Sequence, residues 1–374
     1  MRFHVLGIPH TISTPEYSSC AFTQKVVKLC KMLMMEGHEV FHYGHSQSKV
    51  SCTENVVCTT PQDLKISYPG HDWRKSGFPD YKLSDHCYQV FYCSAKEEIG
   101  RRKQPGDFLL CPFGMGHKAV ADAHRDMLVV ESGIGYPHGT FAPYRVFESY
   151  AIMHAYQGTA AAIDARNDFW YDAVIPNSFD LDEFDFSDSF DLPDDEGYFL
   201  FLGRQNSGKG LHIAKQIAET TKTKLVVAGP GPLEMPSEFI QPLGVVGPAR
   251  RRKLLSQAKA TICASTFLEP FCGVQIESML SGTPVISSDW GAFAEYNVHG
   301  QTGYRCKTFE QFVWAANNIG GIKRRQCRNW AMNFSLEKIA PMYSDYFRSV
   351  QDIYGGKGWY ETRTDRQNLS TSSF

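Results

Sequence analysis

No apolar run in this 374-residue chain approaches the ~18 residues that a membrane-crossing helix needs. The opening Met1-Arg2-Phe3-His4-Val5-Leu6-Gly7 lacks a basic stretch followed by an apolar core. It therefore reads as a first strand and not as a secretion signal. Charge of one sign is also lacking: 38 Lys and Arg stand against 40 Asp and Glu, a net charge of −2. No global basic field is available to recruit nucleic acid or an anionic membrane. The eleven cysteines are odd in number, scattered, and free of any C-x-x-C pair. That pattern argues against a disulfide framework or a zinc site and for reduced thiols in a cytoplasm. No short-period repeat is present.

What is present is the composition of a globular protein, 43% hydrophobic and 21% charged, at a length that accommodates two domains. Short apolar runs alternate with amphipathic ones. Strands are expected at 3–8, 38–43, 107–112, 127–131, 198–202, 224–228, 260–264 and 284–288. Helices are expected at 18–36, 115–124, 208–220, 249–258 and 273–281. Such alternation implies an α/β chain with parallel sheets covered by helices on both faces. An acidic stretch from Asp180 to Glu196 reads as a link between domains; its spacing does not match a calcium loop. The segment from Tyr68 to Asp85 breaks the alternation and reads as a long exposed loop of the first domain, and long loops are often functional. The basic runs Arg101-Arg102-Lys103 and Arg250-Arg251-Arg252-Lys253 read first as solvated faces, with a ligand role as the minority reading. His38, His42 and His45 do not make a metal site, because His38 and His42 would lie over ~13 Å apart along a strand.

The richest stretch is Glu269-Pro270-Phe271-Cys272-Gly273-Val274-Gln275-Ile276-Glu277. Pro270 disfavours helical geometry at the residue before it, so Glu269 is expected in a loop and Glu277 on the following helix. The two carboxylates can then flank one ligand whose anionic middle sits on the helix N-terminus. A nucleotide sugar, with hydroxyls at both ends and phosphates between, fits. Upstream, Gly203-Arg204-Gln205-Asn206-Ser207-Gly208-Lys209-Gly210 follows a strand. It satisfies most of the pattern G-x-x-x-x-G-K-[ST], but Gly210 replaces the hydroxyl that would hold Mg²⁺. A nucleoside-triphosphatase loop is thus one reading. The other is a two-cation clamp in which Arg204 and Lys209 converge on a diphosphate.

In order along the chain stand Gly203-Arg204 with Lys209-Gly210, Gly229-Pro230-Gly231, Glu269-Pro270-Phe271 with Glu277, and Gly282-Thr283-Pro284-Val285-Ile286. This series resembles the retaining GT-B glycosyltransferases of family 4. Val174 to Asp180, Ser288 to Glu295 and Gly300-Gln301-Thr302-Gly303 look like further segments of that family. The resemblance covers roughly 174–350 well and the first domain in outline.

It implies two Rossmann-like domains facing a cleft: 1–176 for the acceptor, 177–335 for the nucleotide sugar, a helix at about 336–354 returning to the first domain, and a tail at 355–374. It also implies that Arg204 and Lys209 bind the diphosphate, Glu269 the donor-sugar hydroxyls and Glu277 the ribose. Gly203, Gly229, Phe271, Cys272, Gly273 and Val274 would line the ligand, with Val246 near the base. The implied activity is sugar transfer from a nucleoside-diphosphate sugar, by default a UDP-sugar such as UDP-glucose, without cofactor or metal. The acceptor could be a glycan, a lipid, a small metabolite or a modified DNA base. The alternatives are the triphosphatase, a nucleotide-sugar-binding protein without catalysis, and an epimerase of the free donor.

Departures from the family pattern are visible. Cys272 stands where the family usually has Gly. The first-domain loop after strand one has a single glycine, Gly7, which would still admit a phosphate or sugar. The family's first-domain His is missing from the end of the strand Leu128 to Glu131. His117, His138 and Glu131 are the candidates to contact donor sugar or acceptor in its place.

Overall fold

The computed structural model describes residues 1–136, 139–163, 171–188, 197–232 and 237–355. The candidate His138 and most of the expected tail lie outside the described residues.

Thirteen described strands form two wholly parallel sheets. The first contains β1 (Arg2–Leu6), β2 (Glu39–His45), β3 (Glu54–Thr59), β4 (Phe108–Leu110), β5 (Leu128–Ile134), β6 (Tyr144–Phe147) and β7 (Asp172–Val174), in the order β3-β2-β1-β4-β5-β6-β7. The second contains β8 (Tyr198–Leu202), β9 (Lys224–Ala228), β10 (Ile240–Gly244), β11 (Ala260–Cys263), β12 (Val285–Ser288) and β13 (Gly303–Cys306), in the order β10-β9-β8-β11-β12-β13. Both follow the doubly wound 3-2-1-4-5-6 pattern, with the order reversing between β1 and β4 and between β8 and β11. In such sheets ligands sit beyond the carboxyl ends of the strands at the reversal.

The inner strands are apolar because both faces are covered: Phe3, Val5, Leu110, Val130, Leu200, Val227, Ile262 and Ile286 are buried. Each sheet has its own large core. The helix Leu336–Tyr354 packs Leu336, Ile339, Tyr343, Tyr346, Phe347 and Val350 onto the core of the first sheet. Its approach is fixed where Phe179 N–H donates to Phe334 O at 2.9 Å and Leu336 N–H to Phe179 O at 3.1 Å. The described part of the acidic stretch, 180–188, is held by basic neighbours. Lys28 pairs with Glu183, Lys31 with Asp180, and Arg325 with Asp188. Arg252 donates to the carbonyls of Glu183 at 3.0 Å and Asp182 at 2.6 Å.

A second link joins the two sheets. Glu295 caps the helix Tyr150–Ile163, accepting from Tyr150 N–H at 2.9 Å and Ala151 N–H at 2.7 Å. Tyr296 donates its hydroxyl to Glu148 O at 2.7 Å. These contacts hold the residues just after β6 against the second sheet's helices.

Candidate functional site

A cavity of about 1140 Å³ opens between the carboxyl ends of the two sheets and is lined from both sides. Its second-sheet wall is built from three loops. The first follows β8. There Asn206 accepts from Lys209 N–H at 2.9 Å and caps a single turn that ends at Gly210. Gly210 has φ +73°, and a Cβ there would lie 2.0 Å from Ala264 O. A serine or threonine could not be accommodated, so the turn cannot supply the hydroxyl a triphosphatase loop needs. Gly229, in the loop after β9, has φ +140°, and a Cβ would lie 1.9 Å from Gly203 O. These two loops pass each other backbone to backbone.

The third loop follows β11. Thr266 N–H donates to Gly208 O at 2.9 Å and ties it to the first. In it Glu269 is buried; its Oε1 lies 2.6 Å from Lys209 Nζ and accepts from Ser265 Oγ at 2.6 Å. Lys209 also lies over the Phe267 ring at 4.9 Å. Arg204 lines the cavity, exposed and, among the described residues, unpaired. The helix Gly273–Leu280 starts directly behind, and Phe271, Cys272, Gly273, Val274 and Glu277 all line the cavity. Its first N–H groups thus open on the same space as two cations, an arrangement that favours an anion. Val246 and Gly203 line it too.

Cys272 adopts φ +62°, a left-handed conformation that a side chain occupies at a cost of roughly 1–2 kcal/mol. This gives a physical reason for a glycine at that position. Cys272 and burial together push the neighbouring Cys263 thiol well up from its ordinary value.

Glu277 is bound by a residue that sequence reasoning left on the surface. Arg251 pairs with its carboxylate and donates its other guanidinium nitrogen to Ser18 O, on the first-sheet side, at 3.3 Å. The available signal was its place one turn after Pro248, the first residue of the helix Pro248–Gln257. Residues on that turn face the same way as the Val246-Gly247-Pro248 loop.

The first-sheet wall differs more from expectation. Gly7 is not among the lining residues; its N–H donates to Tyr43 O at 2.7 Å. His117 lies below it, fully buried. Its Nδ1 accepts from Phe113 N–H at 3.3 Å, which leaves Nε2 to donate to Gly7 O at 2.9 Å. Burial depresses its pKa to about 4. Glu131 is buried, its pKa raised by burial, and it is saturated by Tyr136 Oη at 2.7 Å and by the N–H groups of Phe141 and Ala142 at 2.8 and 3.0 Å. Neither residue lines the cavity. Both brace the wall by satisfying backbone groups, His117 those of Gly7 and Phe113 and Glu131 those of Phe141 and Ala142.

The residues that do line it came from runs read as core or loop. Lys25, on the helix Ala21–Met35, is half-buried, ion-paired with Glu148, and donates to Gly133 O at 3.2 Å. Burial draws its pKa down to about 7. The long segment after Tyr68 folds back onto this wall. Trp73 stacks on Tyr17 at 4.4 Å, while Phe78, Tyr81 and Leu83 face the cavity. His38, His42 and His45 turn to separate partners, Ser344, Ser13 with Asn55, and the backbone of Gln47.

Among known proteins, residues 182–320 match the family model described as "Glycosyl transferases group 1". An uncharacterized glycosyltransferase of Methanocaldococcus jannaschii, MJ1607, is 30% identical over 198 residues, 46% of this chain and 49% of that protein. The D-rhamnosyltransferase WbpZ of Pseudomonas aeruginosa is 31% identical over 117 residues, 28% of this chain and 31% of that protein. The chain thus spans about half or less of the length of these relatives. In fold it is similar to AviGT4, a glycosyltransferase involved in avilamycin A biosynthesis. The TM-score is 0.67 at 19% identity, over 94% of this chain and 98% of that one. It is also similar to HepE of Anabaena, solved with UDP and glucose, at TM-score 0.63 and 15% identity over 93% of this chain and 100% of that one.

Proposed function

We propose, for a chain that belongs through residues 182–320 to the glycosyl transferases group 1 family and adopts the GT-B fold, that it transfers a sugar from a nucleoside-diphosphate sugar to an acceptor with retention at the anomeric carbon. In this reading residues 177–335 hold the donor, and residues 1–176 with the returning helix hold the acceptor. The observation that carries it is the convergence of Arg204, Lys209, Glu269 and Glu277 on one helix N-terminus in one cavity. A UDP-sugar, with UDP-glucose as the default, is the donor we infer; a structural neighbour solved with UDP and glucose supports testing it first.

The roles follow from where charge develops. As the bond from the anomeric carbon to the phosphate oxygen breaks, negative charge grows on the departing diphosphate. Arg204, Lys209 and the N–H groups of Gly273 and Val274 stabilise it there more than in the ground state. The acceptor oxygen bonds to the anomeric carbon on the face the diphosphate leaves, and its proton passes to a phosphate oxygen. Glu269 accepts from hydroxyls of the sugar. Glu277, oriented by Arg251, accepts from the ribose hydroxyls and discriminates against nucleotides that lack them. No metal is needed for this division of labour.

The test is nucleoside-diphosphate release from UDP-, GDP- and ADP-sugars by the wild-type chain, by Lys209→Ala and by Glu277→Ala. Release that both substitutions leave unchanged would overturn the assignment.

A further inference from the structure

The first-sheet wall of the cavity has a chemistry of its own. Tyr81 stacks on His10 with ring centroids 4.1 Å apart and planes 10° apart. Phe113 lies 5.6 Å from both rings. Phe22 meets Phe113 edge-on at 5.2 Å, and Lys25 Nζ lies over Phe22 at 4.4 Å. An unbroken aromatic wall thus runs from the rim to the Lys25–Glu148 pair at the floor. At the rim, Tyr81, Leu83 and Met115 keep 39%, 41% and 41% of their surface exposed, and all three line this cavity. Exposed apolar side chains gathered in one concave place mark a binding surface, whereas scattered ones do not. At the floor, the Ser132 hydroxyl is buried and, among the described residues, has no hydrogen-bond partner. A buried hydroxyl in that state is a place for a ligand group.

We propose that this wall is the acceptor subsite and that it takes a neutral alcohol with a flat apolar body, which lies on Tyr81 and Phe113 while its hydroxyl meets Ser132 and Glu148. The proposal rests on the donor assignment above and adds the acceptor's chemical class. Of the cations that line the cavity, Arg204, Lys209, Arg251 and Arg252 stand on the opposite wall, and the two on this side, Lys25 and Lys28, are paired with Glu148 and Glu183. Lys25 is neutralised by Glu148, and Glu16 adds a carboxylate near the rim, so an anionic acceptor is disfavoured on this side. The residue best suited to stack a base of a nucleic acid, Trp73, is stacked on Tyr17, carries Arg74 over its ring, and does not line this cavity.

The experiment is a titration of 4-nitrophenyl β-D-glucoside, of maltose and of glucose 1-phosphate into the full chain saturated with UDP. UDP binding is measured first; if UDP does not bind, the donor assignment fails and not the acceptor class. With UDP bound, the aryl glucoside is expected to bind saturably and at least about five-fold more tightly than either other probe, the scale of one aromatic contact. Tyr81→Ala, at an exposed position that should not disturb folding, is expected to weaken the aryl glucoside by about five-fold while UDP affinity changes little. Glu148→Gln, which keeps the side-chain shape, is expected to weaken it further when combined with Tyr81→Ala. Equal binding of maltose, tighter binding of glucose 1-phosphate, or no effect of Tyr81→Ala would overturn the proposal.

Discussion

Lys209 Nζ stands 2.6 Å from Glu269 Oε1, so the cation assigned to the diphosphate and the carboxylate assigned to the sugar form one unit. The pair joins the loop after β8 to the loop after β11 across the point where the strand order reverses. Lys209→Ala is expected to lower turnover by about 10²–10³-fold, the range for losing one preorganised charge at a transition state. Glu269→Gln keeps the shape and removes the charge. It should lower turnover while leaving nucleotide affinity nearly intact, in steady-state kinetics read beside a UDP titration. A loss of UDP affinity equal to the loss of turnover would contradict the split.

Glu277 carries the opposite expectation. Its carboxylate is held by Arg251 in the cavity, at the end proposed above for the nucleotide. Glu277→Ala should weaken UDP by about ten-fold or more, as expected when a buried charged hydrogen bond is lost, and should bring UDP and its 2′-deoxy analogue to similar affinity. The wild-type chain should prefer UDP. Calorimetric titration of both ligands measures this, and a preference that survives in Glu277→Ala removes Glu277 from the ribose.

Cys272 sits at φ +62° without the freedom of a glycine. Cys272→Gly should relieve the strain and stabilise the fold by about 1 kcal/mol or less, because glycine loses more chain entropy on folding. Cys272→Ala should show no such gain, since it keeps a Cβ. Chemical denaturation of the three chains decides it; a Cys272→Gly chain less stable than Cys272→Ala would go against the strain argument.

Burial depresses the pKa of His10 to about 3 and those of His42 and His117 to about 4, against an ordinary value of 6.5. Between those values the unfolded chain binds protons that the folded chain refuses, so stability falls as pH drops. The slope is on the order of 1 kcal/mol per pH unit for each histidine. The part of the profile due to these histidines should be flat above about pH 7, decline from about 6.5, and level off below about 4 for His42 and His117 and below about 3 for His10. His42→Gln, which can keep partners at Ser13 and Asn55, should remove part of the slope. Denaturation midpoints from pH 7.5 to 4.5 provide the check, and a flat profile would contradict it.

The legible and illegible parts of the chain divide along physical lines. The eight strands expected from apolar runs lie mainly in the sheet interiors, where both faces are covered and hydrophobicity is continuous. The five strands not expected, β3, β6, β7, β10 and β13, lie toward the sheet edges, where Glu54, Arg145, Asp172, Gln241 and Arg305 break the pattern. The second-sheet wall was readable because Gly203 to Gly210 and Glu269 to Glu277 are local, with backbone and side chains acting over a few residues. The first-sheet wall was not, because it is assembled from Phe22, Lys25, Tyr81, Phe113 and Glu148, far apart in the chain and each ordinary in its own context. Arg251 was hidden for a related reason. In a run of three arginines only the helical phase distinguishes the one facing Glu277 from Arg252, which binds the acidic stretch.

The measurement closest to the central claim is a donor screen that follows nucleoside-diphosphate release from UDP-, GDP- and ADP-sugars with 4-nitrophenyl β-D-glucoside as acceptor. At least one donor is predicted to release its nucleoside diphosphate as a new α-linked glycoside forms, with Lys209→Ala slower by about 10²-fold or more. Turnover of none of these donors, or equal rates in wild type and Lys209→Ala, would contradict the account.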